Sequence, residues 1–456
     1  MKTFEKKLET MSILSQNNIY KLSLIKELGR NDLWMLYAPV AGNMLIASTS
    51  ECNLIEDAIS YGTQDADVQE IVNSLTIGEP ASQRDSKVNN VNEFLLMYIL
   101  PNYICNFSCS YCFSAKGRSN KSLKKEHLKA ALDYFIDSKR VSSSRLAISY
   151  LGGGEPTISW DIVKFGLEYG AQRAKEHNIE LMTTIVTNGS RITDEMVETF
   201  SKYNVMARVS FEILEQIQNK QRGQYQNVCR GIDKLATCST PAMVRAMITP
   251  ENVALMPAMI EELHQRFPHI KSALFDPITS SVTFCDVETT REFYDSYYEK
   301  FLEARLLASS YGIDLGNAPL RNLNMVVERF CTGEFCLTPE GTITVCHQIS
   351  SPNEHNYNDY IYAHIDDCNN LYVDDVKFHK LISDNTIYTN PKCSNCFVKW
   401  NCGGGCMMQN NQYSPEILDV ICDFTRRFSK TLLFERLKEQ YTETGETLEN
   451  YISDNY

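Results

Sequence analysis

The chain has no run of eighteen apolar residues, so no segment has the length and character of a membrane-spanning helix. Positive charge is in deficit: 44 Lys and Arg stand against 57 Asp and Glu, a formal net charge of -13. A chain this acidic has no global attraction for nucleic acid or an anionic membrane surface, which leaves only local basic patches. The stretch Met1 to Asn17 lacks an apolar core of signal-peptide length, and a cytoplasmic location is expected. Internal repeats and low-complexity tracts are absent too. The 456 residues, 43% of them hydrophobic, are enough for two or three packed domains.

Cysteine is abundant, with sixteen in all. In a reducing compartment, clustered thiols read as metal ligands rather than disulfides. Cys105, Cys109 and Cys112 form one group. Cys331, Cys336 and Cys346 form a second, and Cys393, Cys396, Cys402, Cys406 and Cys422 a third. Cys52, Cys229, Cys238, Cys285 and Cys368 stand alone and read as small buried hydrophobes.

Residues 1–90 read as a separate module. Strand-like runs at Leu22 to Ile25, Leu33 to Leu36 and Met44 to Ala47 precede short helices at Cys52 to Ser60 and Asp67 to Leu75. The polar stretch Gly78 to Asn90 reads as a linker. From Val91 the pattern changes. Phe94 to Leu100 is a continuous apolar run, the mark of a strand buried on both faces. Five further strands follow, at Arg145 to Leu151, Leu181 to Val186, Val205 to Phe211, Met243 to Ile248 and Ser272 to Phe275, alternating with helical segments. Repeating βα units predict a parallel sheet with helical crossovers. Six units suggest an incomplete barrel with its chemistry at the strands' C-terminal ends. A doubly wound open sheet is the alternative. A helix-rich stretch covers Thr290 to Tyr311, and an amphipathic helix is expected over Phe424 to Leu448.

The first cysteine group, Cys105-Asn-Phe-Ser-Cys109-Ser-Tyr-Cys112, falls just after the first barrel strand. Three thiolates so close can hold three irons of one cubane and leave the fourth open to a small chelator. They do not close a tetrahedral zinc site, and no fourth ligand is adjacent. Gly152-Gly153-Gly154-Glu155-Pro156 follows the second strand. Glycines admit a ligand close to the backbone, and a carboxylate beside them can take a protonated amine.

The Cys-x3-Cys-x-aromatic-Cys pattern, with Tyr111 as the aromatic, resembles the radical S-adenosylmethionine (radical SAM) superfamily. The resemblance implies that the open iron chelates S-adenosylmethionine, and that one electron then splits it to a 5′-deoxyadenosyl radical. It implies that Tyr111 lies near the adenine. It assigns Gly153, Gly154 and Glu155 to the cofactor, with Glu155 on the methionine amino group. Thr187 and Asn188 after the third strand, Ser210 at the end of the fourth, and Arg222 are similar in place to polar contacts with ribose and methionine carboxylate. The family's usual string at the fourth strand is close to Ser-Leu-Asp-Gly-Pro; Glu212 replaces the Asp and the Gly-Pro is missing, which weakens that transfer. Arg245 could also face the barrel.

The late cysteines resemble the SPASM domain, which houses two auxiliary 4Fe–4S clusters. The resemblance implies that Cys331, Cys346 and Cys406 serve the first cluster, and Cys393, Cys396, Cys402 and Cys422 the second. Cys336 either completes the first or leaves it an open iron for a substrate thiolate. The N-terminal module is similar in outline to winged-helix-like modules that bind a leader peptide as an added strand.

The expected fold is therefore α/β: a partial (β/α)6 TIM-type barrel over 91–312 and a SPASM domain over 313–425. A small N-terminal α+β module occupies 1–90, and a C-terminal helix and tail 426–456. The expected function is a peptide maturase using S-adenosylmethionine and three 4Fe–4S clusters to form a thioether or other cross-link. Glu212 and Asp276, at strand ends, are candidate proton acceptors. Expected partners are a precursor peptide with its leader and an electron donor such as flavodoxin or ferredoxin, with no nucleic acid and no membrane. The competing readings are an anaerobic sulfatase-maturating enzyme and a non-catalytic zinc-binding adaptor.

Overall fold

The structure is a computed structural model that describes residues 12–78, 88–383 and 386–456. Most of the linker stretch, 79–87, and the first eleven residues lie outside the described residues. The chain divides into two units that do not follow chain order. One is drawn from Lys87–Asn317 and Thr332–Asp384, the other from Met1–Ser86, Ala318–Cys331 and Asn385–Tyr456.

The second of these holds a three-stranded antiparallel sheet of β1 (Tyr20–Ser23), β2 (Leu33–Ala38) and β3 (Asn43–Ser48), in that order. The expected strand at Leu22 to Ile25 starts and ends earlier. Ile25 opens a helical turn, Ile25–Leu28, that Gly29 closes with φ 68°. Two helices follow. Thr49–Tyr61 is started by Ser48 and Glu51 in a reciprocal capping box, and Ala66–Thr76 by Asp65. Leu36, Ala47, Cys52, Ile55 and Leu75 form their common core.

The same unit holds the last cysteines. Trp400 Nε1 donates to Asn18 Oδ1 at 3.0 Å, and Tyr37 Oη to Asn401 Oδ1 at 2.9 Å. A helix over Pro415–Glu443 follows, capped by Ser414 with Pro415 at its first position. A second helix, Leu448–Asn455, comes after Gly445 at φ 91°. The single helix expected over Phe424 to Leu448 thus begins earlier and breaks before its end.

The other unit is built on an eleven-stranded sheet. The six expected strands are present as β4 (Leu96–Ile99), β5 (Arg145–Tyr150), β6 (Glu180–Thr187), β7 (Val205–Ser210), β8 (Met243–Ile248) and β9 (Ser272–Pro277), all parallel. A seventh, β10 (Asp314–Gly316), adds parallel to β9. Beyond β4 the sheet continues through β11 (Phe335–Leu337), parallel, then β12 (Thr342–Thr344), β13 (Ile361–Ile365) and β14 (Leu371–Val373), antiparallel. The Gly- and Asn-rich region after Cys331 therefore extends the sheet.

The two faces of this sheet differ. Met97, Ile99, Ile148, Ile185, Val205, Ala207, Val209, Val244, Ala246 and Phe275 are buried. They alternate with Tyr98, Thr184, Met206, Arg208, Ser210 and Arg245, which keep partial or full exposure. The first barrel strand is not buried on both faces as its apolar run suggested. One face packs under helices, and the other carries the partly exposed polar side chains.

Candidate active site

The three-cysteine loop leaves β4 and is stitched to the loop after β5. Asn102, 1% exposed, donates from Nδ2 to Glu155 O at 3.0 Å and Ser159 Oγ at 2.9 Å, and accepts Ile104 N at 2.9 Å. The Glu155 amide donates to Ile104 O at 2.7 Å. The glycines make this approach possible. A Cβ on Gly154 would lie 2.1 Å from Ile104 O and 2.3 Å from Asn102 Oδ1. Gly153 adopts φ 79°, and a Cβ there would lie 2.9 Å from Asn102 O. Gly153 and Gly154 thus make room for the cysteine loop's own backbone, and the open position is Gly152, whose nearest neighbour is Phe113 at 3.6 Å.

Glu155 is 2% exposed. Its Oε1 accepts Thr157 N at 3.1 Å, Thr157 Oγ1 at 2.7 Å and Thr187 Oγ1 at 2.6 Å; its Oε2 accepts Asn188 N at 2.7 Å. The carboxylate therefore ties the ends of β5 and β6 together. Asn188 Nδ2 donates to Asn106 Oδ1 at 2.9 Å, and Asn106 Nδ2 to Ser190 Oγ at 2.9 Å, so the end of β6 also grips the cysteine loop.

On the loop's other side lies a short helix, Glu215–Gln221, absent from the sequence reading. Its Gln221 O accepts Ser110 N at 2.9 Å. Arg222, which closes this helix, donates to Tyr111 Oη at 2.9 Å. Tyr111 in turn donates to Glu212, which also lies 3.8 Å from the Arg222 guanidinium. Asn252 Nδ2 reaches Glu212 Oε2 at 3.3 Å. Burial raises the Glu212 carboxyl, with Arg222 and Tyr111 opposing. Burial, then the Glu212 charge, raises the Tyr111 phenol. Glu212 is 0% exposed, bonded to Tyr111 and close to Arg222.

Ser210, Arg245 and Asp276 share one face of the sheet. Ser210 is registered against Arg245 and Met247 against Asp276, and Arg245 Nε lies 3.0 Å from Asp276 Oδ2. Sequence reasoning missed the dyad beside them. His347 Nδ1 lies 2.8 Å from Glu334 Oε1, and the imidazole packs near Tyr98 and Phe113 at ring distances of 5.8 and 5.6 Å. Burial pushes this imidazole down, but the Glu334 carboxylate outweighs it and the net shift is upward. The signal was its place directly after Cys346.

None of the sixteen cysteines is in a disulfide. Among the described residues no three His, Cys, Asp or Glu side chains close around a single-ion site. A cubane asks for something else, since each thiol takes its own corner. Cys105, Cys109 and Cys112 fit that demand: they are partly exposed, share one loop and feel one another's charge. Cys393, Cys396, Cys402 and Cys422 form a second such group. Burial, followed by neighbouring thiolates, raises Cys393 to about 11 and Cys402 to about 12. Cys331 and Cys406 belong to this group's unit and Cys346 to the other. Cys336 is 0% exposed on β11, in an apolar cluster with Leu100, Tyr103 and Leu151, and burial raises its thiol well above the ordinary value. That setting suits a core residue better than a ligand.

Residues 99–263 match the model of the radical SAM superfamily. The chain carries a radical SAM domain. The radical SAM domain runs from the end of β4 through β8 with all three loop cysteines, and it implies S-adenosylmethionine and a 4Fe–4S cluster. The zinc-adaptor reading is thereby overturned. The enzyme is 21% identical over 376 residues to a cysteine-type anaerobic sulfatase-maturating enzyme of Clostridium novyi (strain NT), covering 75% of this chain and 95% of that protein. It is 25% identical over 147 residues to the radical SAM cyclopropyl synthase TigE of Paramaledivibacter caminithermalis, covering 29% and 30% of the two chains. Among solved structures, native anSMEcpe with bound AdoMet superposes with a TM-score of 0.60 at 14% identity, covering 75% of this chain and 99% of that one. Streptococcus suis SuiB bound to precursor peptide SuiA gives 0.50 at 15% identity, covering 87% and 98%. These likenesses support the fold. No helix of the described residues is long and apolar enough to cross a membrane.

Proposed function

We propose that this radical SAM enzyme oxidatively modifies a ribosomally made peptide, binding its leader through the module of residues 1–90. The observation that carries the reading is the loop of Cys105, Cys109 and Cys112 locked by Asn102 and Glu155 at the ends of the parallel strands, inside a radical SAM domain. When bound there, a 4Fe–4S cluster supplies the electron that splits S-adenosylmethionine into methionine and a 5′-deoxyadenosyl radical able to take a hydrogen atom from substrate.

The chain's own residues orient and shield. Asn102, Glu155, Thr187 and Asn188 hold the cysteine and glycine loops in register. Arg222 and Glu212 hold the Tyr111 ring next to the loop. Ser210 and the Arg245–Asp276 pair offer polar contacts on that face of the sheet, with Asp276 the candidate to take the substrate's proton. Cys393, Cys396, Cys402 and Cys422 would hold one auxiliary cluster. Cys336 stays in the apolar core of its own unit. In the N-terminal sheet, β1 and β3 are edge strands, the feature a leader peptide needs to add a strand.

The sulfatase-maturating reading is favoured by the Clostridium novyi relative, 95% of whose length aligns. Against it, a quarter of this chain has no counterpart there. The test is a competition. Anaerobic enzyme, S-adenosylmethionine and reductant are incubated with peptides encoded beside the gene and with a sulfatase-motif peptide. A leader-dependent mass loss of about 2 Da in the neighbouring peptide supports the proposal. Formylglycine in the sulfatase peptide alone reverses it.

A further inference from the structure

Arg118 is the cationic side chain that touches a sulfur of the three-cysteine loop. It lies in the turn after Cys112 and folds back over that loop. One terminal nitrogen donates to the Phe107 carbonyl, and the other lies 3.3 Å from Cys112 Sγ. Its Nε–H is buried and has no hydrogen-bond partner among the described residues. The turn is seated from behind: a Cβ on Gly117 would lie 2.6 Å from Glu354 Oε1 and 2.8 Å from Ser351 Cβ. Glu354 is itself fixed by the Ser350 and Ser351 amides at 2.6 and 2.9 Å. The other guanidinium near the loop, Arg222, is committed to Tyr111 and Glu212.

We propose that Arg118 is a positioning residue that sets the reduction potential of the cluster on Cys105, Cys109 and Cys112. The inference rests on the radical SAM reading and deepens it. A cluster bound by three thiolates gains one negative charge when a low-potential donor such as flavodoxin or ferredoxin passes it an electron. Hydrogen bonds to the cluster sulfurs and nearby net charge are the protein's levers on that step. Arg118 supplies both, because its guanidinium donates to a ligand sulfur and brings a positive charge beside it. It therefore favours the reduced cluster over the oxidised one. The unpaired Nε–H is a further donor held dry beside the loop.

The experiment uses the full chain, reconstituted without air, as wild type, Arg118→Lys and Arg118→Met. Iron and sulfide are counted. Each protein is then titrated against redox mediators while the electron paramagnetic resonance signal that shifts on adding S-adenosylmethionine is followed; that shift separates this cluster from auxiliary ones. The expected result is equal iron in all three. In Arg118→Met the reduced-to-oxidised ratio at fixed ambient potential should fall tenfold or more, about 59 mV for one electron. Arg118→Lys should fall between. An unchanged ratio in iron-replete Arg118→Met overturns the proposal, as does loss of this cluster's iron in Arg118→Met with normal binding in Arg118→Lys, which would mark a merely structural part. If wild type itself shows no signal that responds to S-adenosylmethionine, the radical SAM reading fails instead.

Discussion

Replacing Glu155 should loosen the joint between the cysteine loop and the sheet by a calculable amount. Its carboxylate accepts two backbone amides, Thr157 and Asn188, and two hydroxyls, Thr157 and Thr187. The hydroxyls can turn to other acceptors; the amides cannot. Leaving a buried amide unpaired costs about 1–3 kcal/mol, so Glu155→Ala should cost about 2–6 kcal/mol before any cavity is counted. That is a large share of the roughly 5–15 kcal/mol of a folded domain. Glu155→Gln keeps the volume and one acceptor oxygen and turns an NH2 toward the other side, a loss of about 1–3 kcal/mol. Hydrogen-exchange mass spectrometry reads this locally. At about 1.4 kcal/mol per factor of ten, protection of the peptide holding Asn188 should fall roughly thirtyfold or more in Glu155→Ala. It should fall less in Glu155→Gln, and amides of the helix Lys125–Phe135 should be unchanged. Unaltered exchange at residues 187–190 in Glu155→Ala would refute the assignment of Glu155 as the tie between β5 and β6.

Gly154→Ala should displace the cysteine loop, because its Cβ would sit 2.1 Å from Ile104 O, whereas Gly152→Ala, with nothing nearer than 3.6 Å, should be tolerated. Iron analysis checks both, with a loss of about four irons expected for Gly154→Ala alone. Asn102→Ala, removing three hydrogen bonds, two of them buried, should cost about 1.5–4.5 kcal/mol, visible as a lowered urea midpoint. Cys422→Ala should cost about four irons while leaving cleavage of S-adenosylmethionine measurable by chromatography, because Cys422 belongs to the thiol group of the other unit. Phe335→Ala should destabilise by about 3–5 kcal/mol in chemical denaturation, since the ring is fully buried against Phe94, Tyr134 and Phe135.

The parallel strands were legible because each is a short apolar run between helical segments, and the cysteine and glycine motifs because ligand spacing is written locally. What was missed depends on contacts between distant segments. The helix Glu215–Gln221 shows one buried hydrophobe, Ile217, among polar residues, too little for an amphipathic signal. The strand Asp314–Gly316 is three residues long and exists because β9 offers an edge. Cys336 looked like a member of a cysteine group in the chain, yet its strand places it in an apolar core. The packing of Asn18 and Tyr37 on Trp400 and Asn401 links segments more than 350 residues apart, which no window of sequence reveals. Glu155 was found from the motif, but the four donors that occupy it come from two strand ends and needed coordinates.

The central claim concerns Cys105, Cys109 and Cys112. Anaerobic, iron-replete enzyme given S-adenosylmethionine and a strong reductant should release 5′-deoxyadenosine and methionine in equal amounts, and the triple Cys→Ala variant at these positions should release neither while losing only about four irons. Wild-type enzyme with full iron that yields no 5′-deoxyadenosine would contradict the account.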